Sequence, residues 1–238
     1  MKYAGRIRPV IDRVYVGARS SSRDRVVAIY AEHGLRPGFE SSFYFGLLAR
    51  PMPASSFAAA TTYNGADMTG ELEQGIAVVD AGGTWRLTDR GRAVAMAVQQ
   101  AIGDAMAERW NPGPPLDVML PGPAVLPRLA DLVGRLLEAG QATGGPAFRA
   151  MAPVYEPMDA SPAVRLTTRL GALRHHRADA HRAAWQAAGL TKQQMTELPA
   201  GPERQAIEDE TDRRDEPIYQ VLDHAERIEL LAGLGALP

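Results

Sequence analysis

The sequence predicts a mainly α-helical protein with one small β-hairpin, arranged as two helical parts. Three observations carry that expectation. Apolar residues recur at three- and four-residue spacing along most of the 238-residue chain. Between Ile76 and Leu87 the period changes to that of a strand pair, around the turn-forming run Asp80-Ala81-Gly82-Gly83. Between Asn111 and Pro123 five prolines fall within thirteen residues, which no helix can continue through. The expected organisation is a first domain over 1–112, a Pro/Gly-rich linker over 113–123 and a helical domain over 124–238.

The elements follow in order. Ile7 to Val16 and Arg23 to His33 read as helices, the second stopped by Gly34, and Pro37-Gly38 marks a turn. Ser41 to Arg50 spaces Phe43, Leu47 and Leu48 as one helical face, ended by Pro51 and Pro53. Ser55 to Tyr63 is a short helix broken at Asn64-Gly65. In the hairpin, Ile76, Val78 and Val79 are β-branched, and Trp85 and Leu87 alternate with Thr84 and Arg86. Thr88 is placed to cap a helix running to about Trp110, with Asp89 at the positive end of its dipole. That helix carries an apolar stripe of Val94, Val98, Ala101, Ile102, Ala105 and Met106, suited to a core or to a second subunit.

Beyond the prolines, Leu126, Leu129, Leu132, Val133, Leu136 and Leu137 form an amphipathic helix stopping at Gly140, and a Gly- and Pro-rich loop follows. Val164 to Ala188 is the longest helix of this part, with Gly189 as its stop. Pro202 to Arg214 is a charged helix, and Ala225 to Leu234 closes the chain behind a capping-box spacing of Asp223 and Glu226.

Composition narrows the function classes. The chain is 45% hydrophobic and 23% charged, with a formal net charge of −2, so no basic field draws in nucleic acid or an anionic membrane. Cysteine is absent, which removes disulfides, thiolate chemistry and cysteine metal sites. No run approaches the roughly 18 apolar residues of a membrane span, and Met1 to Arg25 lacks the apolar core of a signal peptide. The expected location is the cytoplasm. No glycine fingerprint for nucleotides, nucleophile elbow or specific metal-ligand spacing occurs, so neither cofactor nor metal is expected.

Two segments resemble known families. Leu87-Thr88-Asp89-Arg90-Gly91-Arg92, after its Gly-Gly turn, is similar to the wing and following helix of MarR-like winged-helix regulators. Val164 to Leu190, with Leu173-Arg174, His176-Arg177, Asp179 and His181, resembles the helix of the SalK-like, helix-turn-helix-related actinobacterial family. Gly34-Leu35-Arg36 with Tyr44-Phe45-Gly46 and Arg50-Pro51 is similar to that family's early aromatic segment. In that family the wing follows the histidine-rich helix, whereas here it precedes it. The resemblance implies a winged-helix-like first part and makes DNA a partner to weigh. A typical winged helix reads the major groove with one helix and the backbone with a basic wing. Here Arg6, Arg8, Arg86 and Arg90 are the DNA-contact candidates of a regulator, yet Pro51 to Trp85 contains no lysine or arginine and carries Asp67, Glu71, Glu73 and Asp80. That sign opposes phosphate binding.

The chemistry-bearing cluster is His175, His176, Asp179 and His181. At about 100° per residue, His176 and Asp179 share one side of the helix, while Arg174, Arg177 and His181 gather on another. His176 with Asp179 is the acid–base pair of an enzyme reading, and Arg174, Arg177 and His181 would hold an anionic group such as a carboxylate or phosphate. The plainer alternative is structural pairing, with Arg165 and Arg169 extending a basic stripe toward the acidic 203–216 region. Phe39, Phe43, Tyr44, Phe45, Tyr63, Trp85 and Trp110 serve the core or a pocket wall, with Tyr44, Trp85 and Tyr155 the ligand-wall candidates. Met151 to Met158 is a connecting loop or a lid. The expectation is a small-molecule-binding protein, a ligand-responsive regulator with weak or lost DNA binding and a homodimer contact along 89–110. The alternative is an enzyme of specialised metabolism.

Overall fold

A computed structural model describes residues 2–36, 41–63, 69–111 and 123–238. The expected turns at Pro37-Gly38 and Asn64-Gly65, the Phe39 side of the aromatic cluster, Asp67 and the linker over 113–122 lie outside the described residues. The protein is mainly helical with one small antiparallel sheet.

Helix α1 (Tyr3–Ser21) is longer than its sequence pattern marked, because Ala4, Ile7, Ile11, Val14 and Ala18 continue one buried stripe while Pro9 faces outward. After α2 (Arg23–Glu32) and α3 (Ser41–Ala49), strand β1 (Met52–Pro53) leads into α4 (Ala54–Ala60). Then come α5 (Thr69–Glu73), β2 (Ala77–Val79), β3 (Thr84–Leu87) and α6 (Asp89–Arg109). The sheet order is β1-β3-β2, with Met52 opposite Trp85 and Val79 opposite Trp85 on the other side. A two-residue strand containing proline has no readable period, which is why β1 escapes the sequence pattern. Asp80 builds the hairpin turn: its Oδ1 accepts from the amides of Gly82 and Thr84, each at 2.9 Å, and Gly83 takes φ +77°.

Thr88 caps α6 by accepting from the Gly91 amide at 3.0 Å, and its hydroxyl donates back to the Gly75 carbonyl at 2.7 Å. The apolar stripe of α6 is buried within the chain, so it serves the core rather than an exposed subunit contact. The second part contributes α7 (Leu126–Thr143), α8 (Pro146–Met151), α9 (Pro162–Ala187), α10 (Lys192–Glu197), α11 (Pro202–Asp215), a 3₁₀ segment (Glu216–Val221) and α12 (His224–Ala236). Helix α8 replaces part of the loop expected there. The capping box of Asp223 and Glu226 is formed as its spacing predicts.

Helix α9 is the axle of the molecule, packing against α1, α6, α7, α8 and α11. One buried cluster joins Ile7, Trp85 and Ile102 to Leu132, Leu166 and Tyr219. The expected division near 111–123 therefore does not separate two cores, because α9 presents apolar residues to both sides. A satellite cluster of Ala184, Trp185, Met195 and Ile207 seals the far end of α9. Arg13 ties the chain end back to α1 through the carbonyls of Leu234, Gly235 and Leu237 at 2.5–3.0 Å. Among the described residues no helix is long and apolar enough to cross a membrane.

The seat of α6 on the hairpin is testable. A Cβ at Gly91 would lie 1.8 Å from the Ile76 carbonyl oxygen, a backbone atom that cannot swing away. Gly91→Ala is expected to cost about 2 kcal/mol or more, and Thr88→Ala about 1 kcal/mol. Urea unfolding checks the ordering; a Gly91→Ala variant no less stable than Thr88→Ala would disprove the close approach.

Candidate functional site

The side chains of α9 divide into two sets. On the inward set, His176 is 2% exposed and both ring nitrogens are engaged, Nδ1 with Asp215 Oδ1 at 2.7 Å and Nε2 with Thr143 Oγ1 at 3.0 Å. The Phe148 ring meets it edge-on at 5.4 Å. Asp179 turns to α8 instead, where its carboxylate accepts from the amides of Ala147 at 3.1 Å and Phe148 at 2.8 Å and also faces Arg182 at 3.1 Å. Those first-turn amides lack intrahelical partners, so a carboxylate there is satisfied by geometry and by the helix dipole. The expected His176–Asp179 acid–base pair is thus not formed: each group is bound to a different neighbouring helix.

The second set lines a cavity of about 520 Å³ between α1, the end of α4, α9 and α11. Arg174, His175, Arg177 and His181 come from α9, Arg8 and Asp12 from α1, Glu208 from α11, and Tyr63 from just beyond α4. Ile11, Ala60, Leu173 and Ala178 supply apolar wall, and Tyr219 an aromatic ring. Arg182 positions the α4 end by donating to the Ala59 carbonyl at 2.8 Å and Thr62 Oγ1 at 2.9 Å.

The arginines arrive already paired. Arg174 meets Asp12 at 2.8 Å and stacks over the Tyr15 ring at 4.7 Å. Arg8 meets Asp12 at 3.5 Å and Glu208 at 3.2 Å. Arg177 faces Glu208 at 3.3 Å, Asp212 at 2.9 Å and Asp215 at 3.6 Å. The expected meeting of the basic stripe with the acidic α11 holds for Arg177, whereas Arg169 pairs with Glu156 at 2.6 Å. That pair also holds the Met151–Met158 loop down; Met151 is buried and Met158 exposed.

The two cavity histidines have different hydrogen-bonding states. His175 Nδ1 lies 2.8 Å from the Gly171 carbonyl oxygen. A carbonyl only accepts, so the proton sits on Nδ1 and Nε2 carries a lone pair. His181 Nδ1 lies 2.9 Å from the Tyr63 hydroxyl, which accepts from Trp185 Nε1 at 3.0 Å. With Tyr63 accepting from Trp185, its hydroxyl donates to His181 Nδ1, which puts the His181 proton on Nε2, buried without a hydrogen-bond partner among the described residues 3.8 Å from Glu208 Oε1. Burial pushes both histidines below the ordinary imidazole pKa; nearby Glu208 raises His181 while Arg8 and Arg177 lower it further. Burial likewise raises the Tyr63 and Tyr219 phenols.

Of the expected ligand residues, Arg174, Arg177 and His181 line the cavity. Tyr44 and Trp85 are core residues, and Trp85 stacks on Phe57 at 5.3 Å. Tyr155 packs under Arg92, and its carbonyl accepts from Gln99 at 2.9 Å. None of these three lines the cavity. The expected DNA contacts scatter: Arg8 joins the cavity, Arg86 pairs with Asp80 at 3.7 Å, Arg90 donates to the carbonyls of Gln74 and His33, and Arg6 lies near Lys2 and Glu216. Sequence reasoning placed Tyr63 among the aromatics of a core or pocket wall and missed Asp12 and Glu208 as wall residues. Asp12, one turn after Arg8, was a readable clue. Among the described residues, no group of three His, Asp or Glu side chains has metal-holding geometry. Comparison with protein-family models, with curated proteins and with solved structures gives no match to this chain.

Two outcomes follow for stability. His176→Ala leaves Asp215 buried without its hydrogen-bond partner and is expected to cost about 3 kcal/mol or more, against about 1 kcal/mol for His175→Ala. Because folding depresses the pKa of His175 and His181, their contribution is complete above about pH 6.5 and is lost as pH falls, the unfolded chain taking up protons first. The slope is at most about 1.4 kcal/mol per pH unit for each histidine. Unfolding at pH 7.5, 6.5 and 5.5 measures it, and the double variant His175→Asn/His181→Gln flattens it; an unchanged slope would mean that these rings titrate alike in the folded and unfolded chain.

Proposed function

We propose that this chain is a small-molecule-binding protein whose ligand occupies the α9 cavity. The observation that carries the reading is the cavity itself. Its volume falls within the roughly 300–1,000 Å³ of ligand pockets, with apolar walls and a few convergent polar groups. It forms where elements from both ends of the chain meet, so occupancy bears on how α1, α4 and α11 sit around α9.

The scaffold reading is winged-helix-like. The order α3, β1, α4, α5, β2, β3 with sheet order β1-β3-β2 supports it, as does the resemblance of the hairpin and α6 to MarR-like regulators. In that reading α5 would be the DNA-facing helix, and it argues against phosphate contact. In its described span, Thr69–Glu73, Glu73 is paired with Arg36 at 3.0 Å. Of the four arginines put forward for DNA, Arg90 is spent on backbone carbonyls and Arg8 and Arg86 on carboxylates. A ligand-responsive regulator with weak or lost DNA binding remains the form this reading takes.

An enzyme is the second reading, and one observation favours it. His175, rather than His176, lines the cavity with an Nε2 that no described residue takes, a backbone carbonyl to orient the ring and burial to lower its pKa, the requirements of a general base.

Protein-observed NMR with a set of small aromatic fragments tests the binding reading. Shifts are expected to concentrate on Tyr63, Arg174, His175 and Ala178, and Ala178→Trp, which fills the cavity, is expected to abolish them. Shifts scattered over the surface, or unaffected by Ala178→Trp, would refute it. A labelled DNA duplex is expected to show no binding at about 0.15 M salt.

A further inference from the structure

We propose that the α9 cavity selects an uncharged phenol, and that His175 Nε2 accepts the hydrogen bond from the ligand's hydroxyl. This rests on the small-molecule reading above and names the chemistry of what enters.

Charge excludes the obvious alternative. Three wall arginines suggest an anion site, but Arg8, Arg174 and Arg177 face four carboxylates, those of Asp12, Glu208, Asp212 and Asp215. An incoming carboxylate or phosphate would have to displace one of them and strand it beside the newcomer, in a site already without surplus positive charge. His181 offers no cation either, because burial holds it neutral and its Nδ1 is taken by Tyr63. A ligand without net charge meets no such penalty.

The hydrogen-bond inventory then fixes the polarity of the ligand group. His175 Nδ1 is committed to Gly171, while Nε2 has no partner among the described residues in a ring that lines the cavity. An imidazole lone pair in that position calls for a donor. Leaving it unmet on ligand binding would bury an unsatisfied acceptor. The remaining wall, Ile11, Leu173, Ala178 and the Tyr219 ring, suits a flat apolar body. The cavity's own phenols show which protonation state survives: burial raises Tyr63 and Tyr219, so a phenol beside them stays protonated and remains a donor.

The experiment uses the full chain and three probes of matched shape: 4-propylphenol, 4-propylanisole, which lacks the donor, and 4-propylbenzoate, which is anionic. Affinities come from NMR titration, and histidine ¹⁵N shifts are read on the unliganded protein. The phenol is expected to bind about tenfold tighter than the ether, the worth of one hydrogen bond, with the benzoate weaker than the phenol. His175→Phe is expected to remove the phenol-over-ether preference without removing ether binding. In the unmodified protein, His175 is expected to carry its proton on Nδ1. A benzoate that binds tightest, equal affinity for phenol and ether, no binding by any of the three, or a His175 protonated on Nε2 would each overturn the proposal. Equal phenol and ether binding at the cavity would still leave the small-molecule reading intact, whereas a fragment screen without cavity shifts would remove both.

Discussion

The fold turns on a buried ionic seam between α9 and α11. His176 and Asp215 meet at 2.7 Å with almost no solvent access, and Arg177, one residue on, spans Glu208, Asp212 and Asp215. Burying such groups is costly unless every partner is present, so the seam admits one register of α9 against α11. Thr143 on α7 takes the second nitrogen of His176, extending the lock to a third helix. Once α9 is held in that rotation, the residues on its other side have no freedom about where they face.

That rotation makes the cavity. With His176 and Asp179 drawn toward α7, α8 and α11, the intervening positions 174, 175, 178 and 181 are turned toward α1 and α4. The same helix therefore performs structural and site-forming roles with adjacent residues, and neighbouring histidines have opposite fates. The polar wall is balanced rather than basic: its arginines stabilise the packing of α1 and α11 on α9, and the part-exposed pairs such as Arg8 with Asp12 contribute little because water screens them. Among the described wall residues, His175 offers a visitor an Nε2 that no neighbouring side chain has taken.

At the other end of the chain, the three-stranded sheet is small and its role is mainly to set the start of α6. Thr88 and Gly91 join the helix to the Gly75 and Ile76 carbonyls, and Arg90 fastens the same corner to Gln74 and His33. Arg90, in the first turn of α6, is thereby committed to backbone carbonyls. The hairpin thus forms a structural corner that sets where α6 begins.

Local physics made much of this architecture legible. The hairpin turn at Asp80–Gly83, the Thr88 and Asp223 caps, the α7 stripe and the extent of α9 were all readable, because each depends on residues within a few positions of one another. The helical wheel also placed Arg174, Arg177 and His181 on one side of α9, and they do share the cavity. It assigned the chemistry to His176 rather than to His175, since two adjacent imidazoles differ only in what lies across from them. Asp215 and Thr143 claim one, the Gly171 carbonyl orients the other, and Asp179 is captured by the start of α8, which has no strong sequence signal of its own. Sequence alone determined which helices form and which faces carry charge; only the tertiary packing, by satisfying buried polar groups one partner at a time, decided which of those groups remain free to meet a ligand.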